Sequence, residues 1–129
     1  MKLFNWEAYM YMFRGIHLII DYYNVNKDRI NNIDFVERSL CDAINLSGYN
    51  LIKIVSEKFE LHGLSVLALL KESHVSIHTY PENNSMFIDI FTCGERTPEK
   101  ISQLLHKLFN PKQVKLTKIV RGNATNTNE

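Results

Sequence analysis

The stretch from Leu51 to Thr92 constrains the fold most. Four runs within it, Leu51 to Phe59, Gly63 to Leu70, His74 to Tyr80 and Ser85 to Thr92, read as strands, with only short turn-like segments between them. Short connections join antiparallel neighbours, because a parallel pair needs a crossover of a dozen residues or more. The spacing therefore predicts a meander of four strands.

The flanking segments complete the pattern. Gly15 to Tyr23, GIHLIIDYY, reads as a further buried strand. Asp34-Phe35-Val36-Glu37 has the D-x-x-E form of a helix start, and Ile33, Val36, Leu40 and Ile44 recur at helical spacing until Gly48 offers a C-cap. Thr97-Pro98-Glu99 predicts a capped helix with proline at its first position. Ile101, Leu104, Leu105, Leu108 and Phe109 form its apolar stripe, and Asn110-Pro111 stops it. Gln113 to Val120 reads as a last strand, followed by a polar tail expected to be disordered.

The order β-α-β-β-β-β-α-β predicts an α+β fold, a two-layer sandwich in which one antiparallel sheet carries two helices on a single face. Several strands are apolar on both sides, so the second face also needs cover. A second copy packed sheet against sheet, giving α/β/β/α, would supply it.

Composition narrows the functional classes. A chain of 129 residues, 45% hydrophobic and 22% charged, reads as one domain able to bury a core without disulfides or a structural metal. Fifteen basic against fourteen acidic residues leave a formal charge of +1, which gives no electrostatic case for a nucleic acid or an anionic membrane as main partner. Charge-free runs such as Leu61 to Leu70 are about half the length of a membrane-spanning helix. The opening MKLFNWEAYMYMF lacks both a continuous apolar core and a small-residue cleavage site, so a cytoplasmic location is expected. Cys41 and Cys93 have no CxxC spacing and suggest neither a disulfide framework nor a zinc site. The sequons at Asn83 and Asn123 read as chance matches in such a chain.

Chemistry concentrates in Lys71 to Glu82, KESHVSIHTYPE, which holds two carboxylates, two serine hydroxyls and two imidazoles in twelve residues. On a helix, His74 and His78 would form a metal pair. In a strand they stand roughly 13 Å apart, too far to share one ion. Strand alternation puts His74, Ser76, His78 and Tyr80 on one face and Ser73, Val75, Ile77 and Thr79 on the other. On composition alone, a polar face turned to solvent accounts for this as well as a catalytic site does.

A wider set of residues resolves the choice. Glu72-Ser73, the spacing to His78, the following Pro81-Glu82, and then Phe91-Thr92-Cys93-Gly94-Glu95 together resemble the S-adenosylmethionine decarboxylase proenzyme family in its short bacterial form. The match runs from about Gly15 to Gly122 and is carried by ESHVSIHTYPE from Glu72 and FIDIFTCGE from Phe87. It divides the chain into an N-terminal extension, 1–14, a decarboxylase domain, 15–122, and a tail, 123–129.

The resemblance implies a pyruvoyl enzyme made by self-cleavage. The Ser73 hydroxyl attacks the Glu72 carbonyl, converting the amide to an ester. Loss of the Ser73 α-proton then expels the Glu72 carboxylate, and the dehydroalanine left behind hydrolyses to a pyruvoyl group with release of ammonia. The products are a β chain, 1–72, and an α chain, 73–129. In the family positions, Ser65 is the hydroxyl donor for processing and His78 the base. An imidazole suits that role because its ordinary pKa lies near neutral. The pyruvoyl carbonyl forms a Schiff base with the substrate amine and serves as the electron sink for loss of carbon dioxide, and no metal is implied. Cys93 holds the position of the proton donor to the substrate α-carbon, although alone it would read as a small buried core residue. Phe59 and Glu82 hold the positions that stack the adenine and hydrogen-bond the ribose; by themselves they read as a core phenylalanine and a surface glutamate.

Spacing adds an inference about assembly. Ser73 and His78 lie roughly 16 Å apart along an extended strand and leave opposite faces, so they cannot meet within it. Ser65 and His78, by contrast, are placed symmetrically about a turn at Lys71-Glu72 and would oppose one another on a hairpin. Two composite sites at a homodimer interface follow as an expectation. One protomer would supply Ser73 and Cys93, and its partner Phe59, Ser65, His78 and Glu82.

The implied activity is decarboxylation of S-adenosyl-L-methionine to S-adenosylmethioninamine for spermidine synthesis. Glu57 and Leu61 replace a histidine and a proline common in the family, Tyr80 replaces a tryptophan, and Asn83-Asn84-Ser85 replaces a Tyr-Gly-Tyr-type turn. These departures keep open a basic amino acid such as arginine or ornithine as substrate. A non-catalytic homologue is the remaining alternative, and the intact Ser73, His78 and Cys93 argue against it.

Overall fold

A computed structural model describes residues 13–94 and 96–122; most of the N-terminal extension and the tail lie outside the described residues. The described chain runs β1 (Gly15–Tyr23), α1 (Lys27–Ile30), α2 (Ile33–Leu46), β2 (Leu51–Lys58), β3 (Leu64–Leu70), β4 (Ser73–Tyr80), a 3₁₀ turn (Pro81–Asn83), β5 (Ser85–Cys93), α3 (Glu99–Phe109) and β6 (Gln113–Arg121). All six strands join one antiparallel sheet in the order β2-β3-β4-β5-β1-β6. The α+β fold and the β2–β5 meander agree with the strand spacing, and β1 is inserted between β5 and β6.

One core explains why the helices sit where they do. Val36, Leu40, Ala43 and Ile44 of α2 and Ile101, Leu105 and Phe109 of α3 are buried against Leu18, Ile20 and Tyr22 of β1 and the matching rows of β3, β4 and β5. Each fully buried Leu or Ile of this size stabilises the fold by about 1.5–3 kcal/mol. Phe35 meets Phe109 edge-on with centroids 5.7 Å apart, which ties α2 to α3.

Helix starts differ from the sequence reading in two places. Asn32, not Asp34, caps α2, its side-chain oxygen accepting from Phe35 N–H at 3.1 Å, because it alone lies outside the first turn with its side chain free to turn back. Asp34 sits inside that turn, where its charge favours the helix dipole. Pro98 rather than Thr97 occupies the N-cap position of α3, with no side-chain cap, while the Thr97 carbonyl is engaged by the Tyr49 hydroxyl at 3.0 Å. The short α1 and the 3₁₀ turn had no apolar periodicity to announce them. Asn26 nucleates α1 by accepting from Asp28 and Arg29 N–H groups, both at 3.0 Å.

The opposite sheet face carries no element among the described residues. Leu67 and Leu69 are 51% and 52% exposed there, beside Val55, Phe87 and Ile19, so the apolar residues expected on both sides of the strands are present. Among them lies a polar group in which His17 Nε2 meets Asp89 Oδ1 at 3.1 Å and the Ser76 hydroxyl donates to Asp89 Oδ2 at 3.2 Å. No helix of the described residues is long and apolar enough to cross a membrane.

Candidate active site

Leu70 and Ser73 pair across β3 and β4, so only Lys71 and Glu72 make the turn. The Lys71 N–H is held by the Asn50 carbonyl at 3.2 Å. Glu72 takes φ 64°, in the left-handed region that L residues seldom occupy. Glycine usually fills that position, because a β-carbon there costs about 1–2 kcal/mol. The peptide leading into Ser73 thus sits on a strained corner, with Ser73 as the first residue of a regular strand.

Ser73 is only 6% exposed, and its hydroxyl oxygen accepts from Cys93 N–H at 3.3 Å. Glu72, Ser73, Cys93, Gly94, Asn50 and Arg96 border one cavity of about 440 Å³. Burial, then the Glu72 carboxylate, raise the Cys93 pKa above its ordinary value, with Arg121 opposing them. The thiol therefore stays protonated through neutral pH and can give a proton rather than act as a thiolate. Arg96 is fixed beside it, donating to the Gly48 carbonyl at 2.7 Å with its guanidinium 5.0 Å from the Tyr49 ring centre.

A second cluster lies at the other end of β4. Ser65 and His78 face each other in register, and their Oγ and Nδ1 share a 2.7 Å hydrogen bond. His78 is in turn opposite Phe87, whose ring lies 4.9 Å from that of Tyr80. Phe59 follows β2 with half of its surface exposed, and its N–H closes the β2–β3 loop on the Gly63 carbonyl at 3.0 Å. Gly63 is needed there: its φ is 87°, and a β-carbon would lie 2.6 Å from the Thr79 carbonyl oxygen. That close approach seats the loop against the end of β4, directly before the turn that carries the exposed Glu82.

The seven residues singled out in the sequence thus fall into two groups. Glu72, Ser73 and Cys93 share one cavity. Ser65, His78, Phe59 and Glu82 gather at the opposite end of the same hairpin. Ser73 and His78 are not brought together within the chain, since β4 is regular from Ser73 to Tyr80 and alternation puts them on opposite faces. Asn50 and Arg96 were missed. Arg96 lies just beyond the FTCGE stretch, which was a usable signal, whereas Asn50 enters only through the β2–β3–β4 pairing. Among the described residues no group of three or more His, Cys, Asp or Glu side chains could hold a metal ion.

Comparison with known proteins places the fold in a family. The profile of the family described as S-adenosylmethionine decarboxylase matches residues 16–122. A relative named S-adenosylmethionine decarboxylase proenzyme 2, from Bacillus cereus, is 37% identical over 109 residues, covering 84% of this chain and 89% of its own. An S-adenosylmethionine decarboxylase proenzyme from Prochlorococcus marinus is 37% identical over 99 residues, 76% of this chain and 79% of its own. Among solved structures, the adenosylmethionine decarboxylase of Aquifex aeolicus superposes with a TM-score of 0.77 at 27% identity, over 81% of this chain and 88% of that one. With the match extending over nearly all of the described fold, the chain belongs to the S-adenosylmethionine decarboxylase family.

Proposed function

We propose that this chain cuts itself between Glu72 and Ser73, and that the processed enzyme decarboxylates S-adenosyl-L-methionine to S-adenosylmethioninamine. The observation that carries the reading is the turn itself. A non-glycine residue held at φ 64° immediately precedes a buried serine whose hydroxyl already has a backbone donor. Strain at Glu72 is relieved when the bond to Ser73 breaks, and nothing in the turn itself calls for glutamate in place of glycine.

Processing asks two things of the chain. Ser73 must attack the Glu72 carbonyl, which a two-residue turn favours by holding the neighbouring peptide in a fixed conformation. A base must then take the Ser73 α-proton, and His78 is suited to it. With Nδ1–H donating to the Ser65 hydroxyl oxygen, Nε2 is the unprotonated nitrogen that accepts the proton. The released fragments would be 1–72 and 73–129.

The pyruvoyl group left at residue 73 supplies an electrophilic carbonyl that takes up the electron pair freed as carbon dioxide departs. Residue 73 fits that role: it borders a cavity of about 440 Å³ and becomes a free chain end after cleavage. Cys93, in the same cavity and held protonated, returns a proton to the substrate α-carbon. Phe59 offers an exposed aromatic face for the adenine, and Glu82 a carboxylate for the paired ribose hydroxyls.

The two groups of residues become one site in a homodimer. A two-fold axis lying between two open sheet faces and perpendicular to the strands reverses strand direction from copy to copy. It sets the Ser73 end of one protomer opposite the His78 end of its partner. Half-exposed Leu67 and Leu69 on that face support the same arrangement, because contiguous apolar surface marks an interface. A cytoplasmic setting completes the reading, since Cys41 and Cys93 are both free and the proposed donor must stay reduced.

Intact-mass measurement of the purified protein tests the first step. Two fragments divided ahead of position 73 support it, and a single species of 15.1 kDa overturns it. Carbon dioxide release from S-adenosyl-L-methionine, arginine and ornithine tests the second, and preference for either amino acid would overturn the substrate assignment.

A further inference from the structure

The segment between β1 and α2 reaches the proposed nucleoside site from behind. Asn31, which ends α1, accepts through Oδ1 from the Gly63 N–H at 3.2 Å. The Lys58 ammonium donates to both the Oδ1 and the backbone carbonyl of Asn31, each at 2.6 Å. Lys58 and Gly63 bracket the loop that carries Phe59. One side chain on α1 thus grips both ends of that loop. Earlier in the same segment, the Val25 N–H donates to the Asn84 carbonyl at 2.9 Å, which holds the turn that carries Glu82.

We propose that Asn31 is a positioning residue for substrate binding, pinning the Phe59 loop through Lys58 and Gly63 so that the aromatic face is set before the nucleoside arrives. The inference rests on the reading of Phe59 as part of the substrate site. Its physical basis is preorganisation. A loop whose two ends are tied to a neighbouring element loses little freedom when a ring docks on it, whereas an untied loop is ordered at the expense of affinity. The effect falls on binding and leaves chemistry alone, because neither Ser73 nor Cys93 touches Asn31 or its partners.

Steady-state decarboxylation of S-adenosyl-L-methionine by full-length Asn31→Ala, Asn31→Asp, Lys58→Met and Phe59→Ala, with the processed fraction taken from intact mass, tests the proposal. Asn31→Ala should raise KM about fivefold, equivalent to about 1 kcal/mol, with kcat per processed site within about twofold of the parent. Asn31→Asp keeps both acceptors for Gly63 and Lys58 and should restore KM to within about twofold. An unchanged KM in Asn31→Ala beside a raised KM in Phe59→Ala overturns the positioning role, and so does a loss in Asn31→Asp as large as that in Asn31→Ala. If Phe59→Ala leaves KM unchanged, the inference falls together with the substrate-site reading of Phe59, and the failure is assigned to that reading. Should Asn31→Ala not fold, Lys58→Met removes one of the two grips, and an unaltered KM there also overturns the role.

Discussion

The two ends of β4 are built differently. At its start, Ser73 is buried, the preceding residue is strained, and the neighbouring thiol is held protonated. At its far end, Phe59 and Glu82 are exposed beside the hydrogen-bonded Ser65–His78 pair. Covalent chemistry calls for the first kind of place, where groups are desolvated and fixed before reaction. Recognition of a large nucleoside calls for the second, an open aromatic and carboxylate surface. One strand separates the two, and the proposed reaction draws on both.

Removing the nucleophile sharpens that contrast most. Ser73→Ala should abolish processing and decarboxylation together, leaving an intact chain by mass. His78→Ala, at the other end, should stop processing as well if the ends cooperate. Co-expressed with Ser73→Ala, it should regain processed chains in mixed dimers; failure to do so would separate the two ends and break the composite site.

Cys93→Ala should divide the two stages. Cleavage into fragments should persist, while turnover of the processed enzyme falls by about 10² or more, the range expected for loss of a positioned proton donor. Equal damage to both stages, read from mass and from carbon dioxide release, would move Cys93 out of the proton-donor role.

A smaller effect concerns the thiol. Because burial first and the Glu72 carboxylate second raise its pKa, Glu72→Gln in the Ser73→Ala precursor should let Cys93 ionise at lower pH while burial still holds it above the ordinary value. Thiolate absorbance against pH measures this. A titration that moves upward would reverse the assigned cause.

The smallest effect is on stability. Glu72→Gly in the same precursor should stabilise the fold by about 1 kcal/mol by removing the left-handed cost at φ 64°, seen as a higher denaturant midpoint. A lower midpoint would show that the turn is not strained.

Local patterns made most of this fold legible. Strand alternation in SHVSIHTY and helical spacing in α2 and α3 fixed the faces correctly, because each periodicity reports one buried side. The Ser65–His78 pair followed from counting outward from a two-residue turn. Other features were hidden because they depend on contacts distant in sequence. Asn31 meets Gly63 across thirty-two positions, and nothing in INNIDF marks it for that contact. The sites of α1 and of the 3₁₀ turn were equally silent, being too short for a period to appear.

The strand order carries a consequence for the severed protein. Divided ahead of position 73, the first fragment owns β1, β2 and β3 and the second owns β4, β5 and β6, yet β1 lies between β5 and β6. The pieces are interleaved like clasped fingers, joined along three separate hydrogen-bonded seams and through a common interior. A nick at the proposed position would therefore release a reactive terminus while the halves stay locked in one body, and parting them would mean unfolding both.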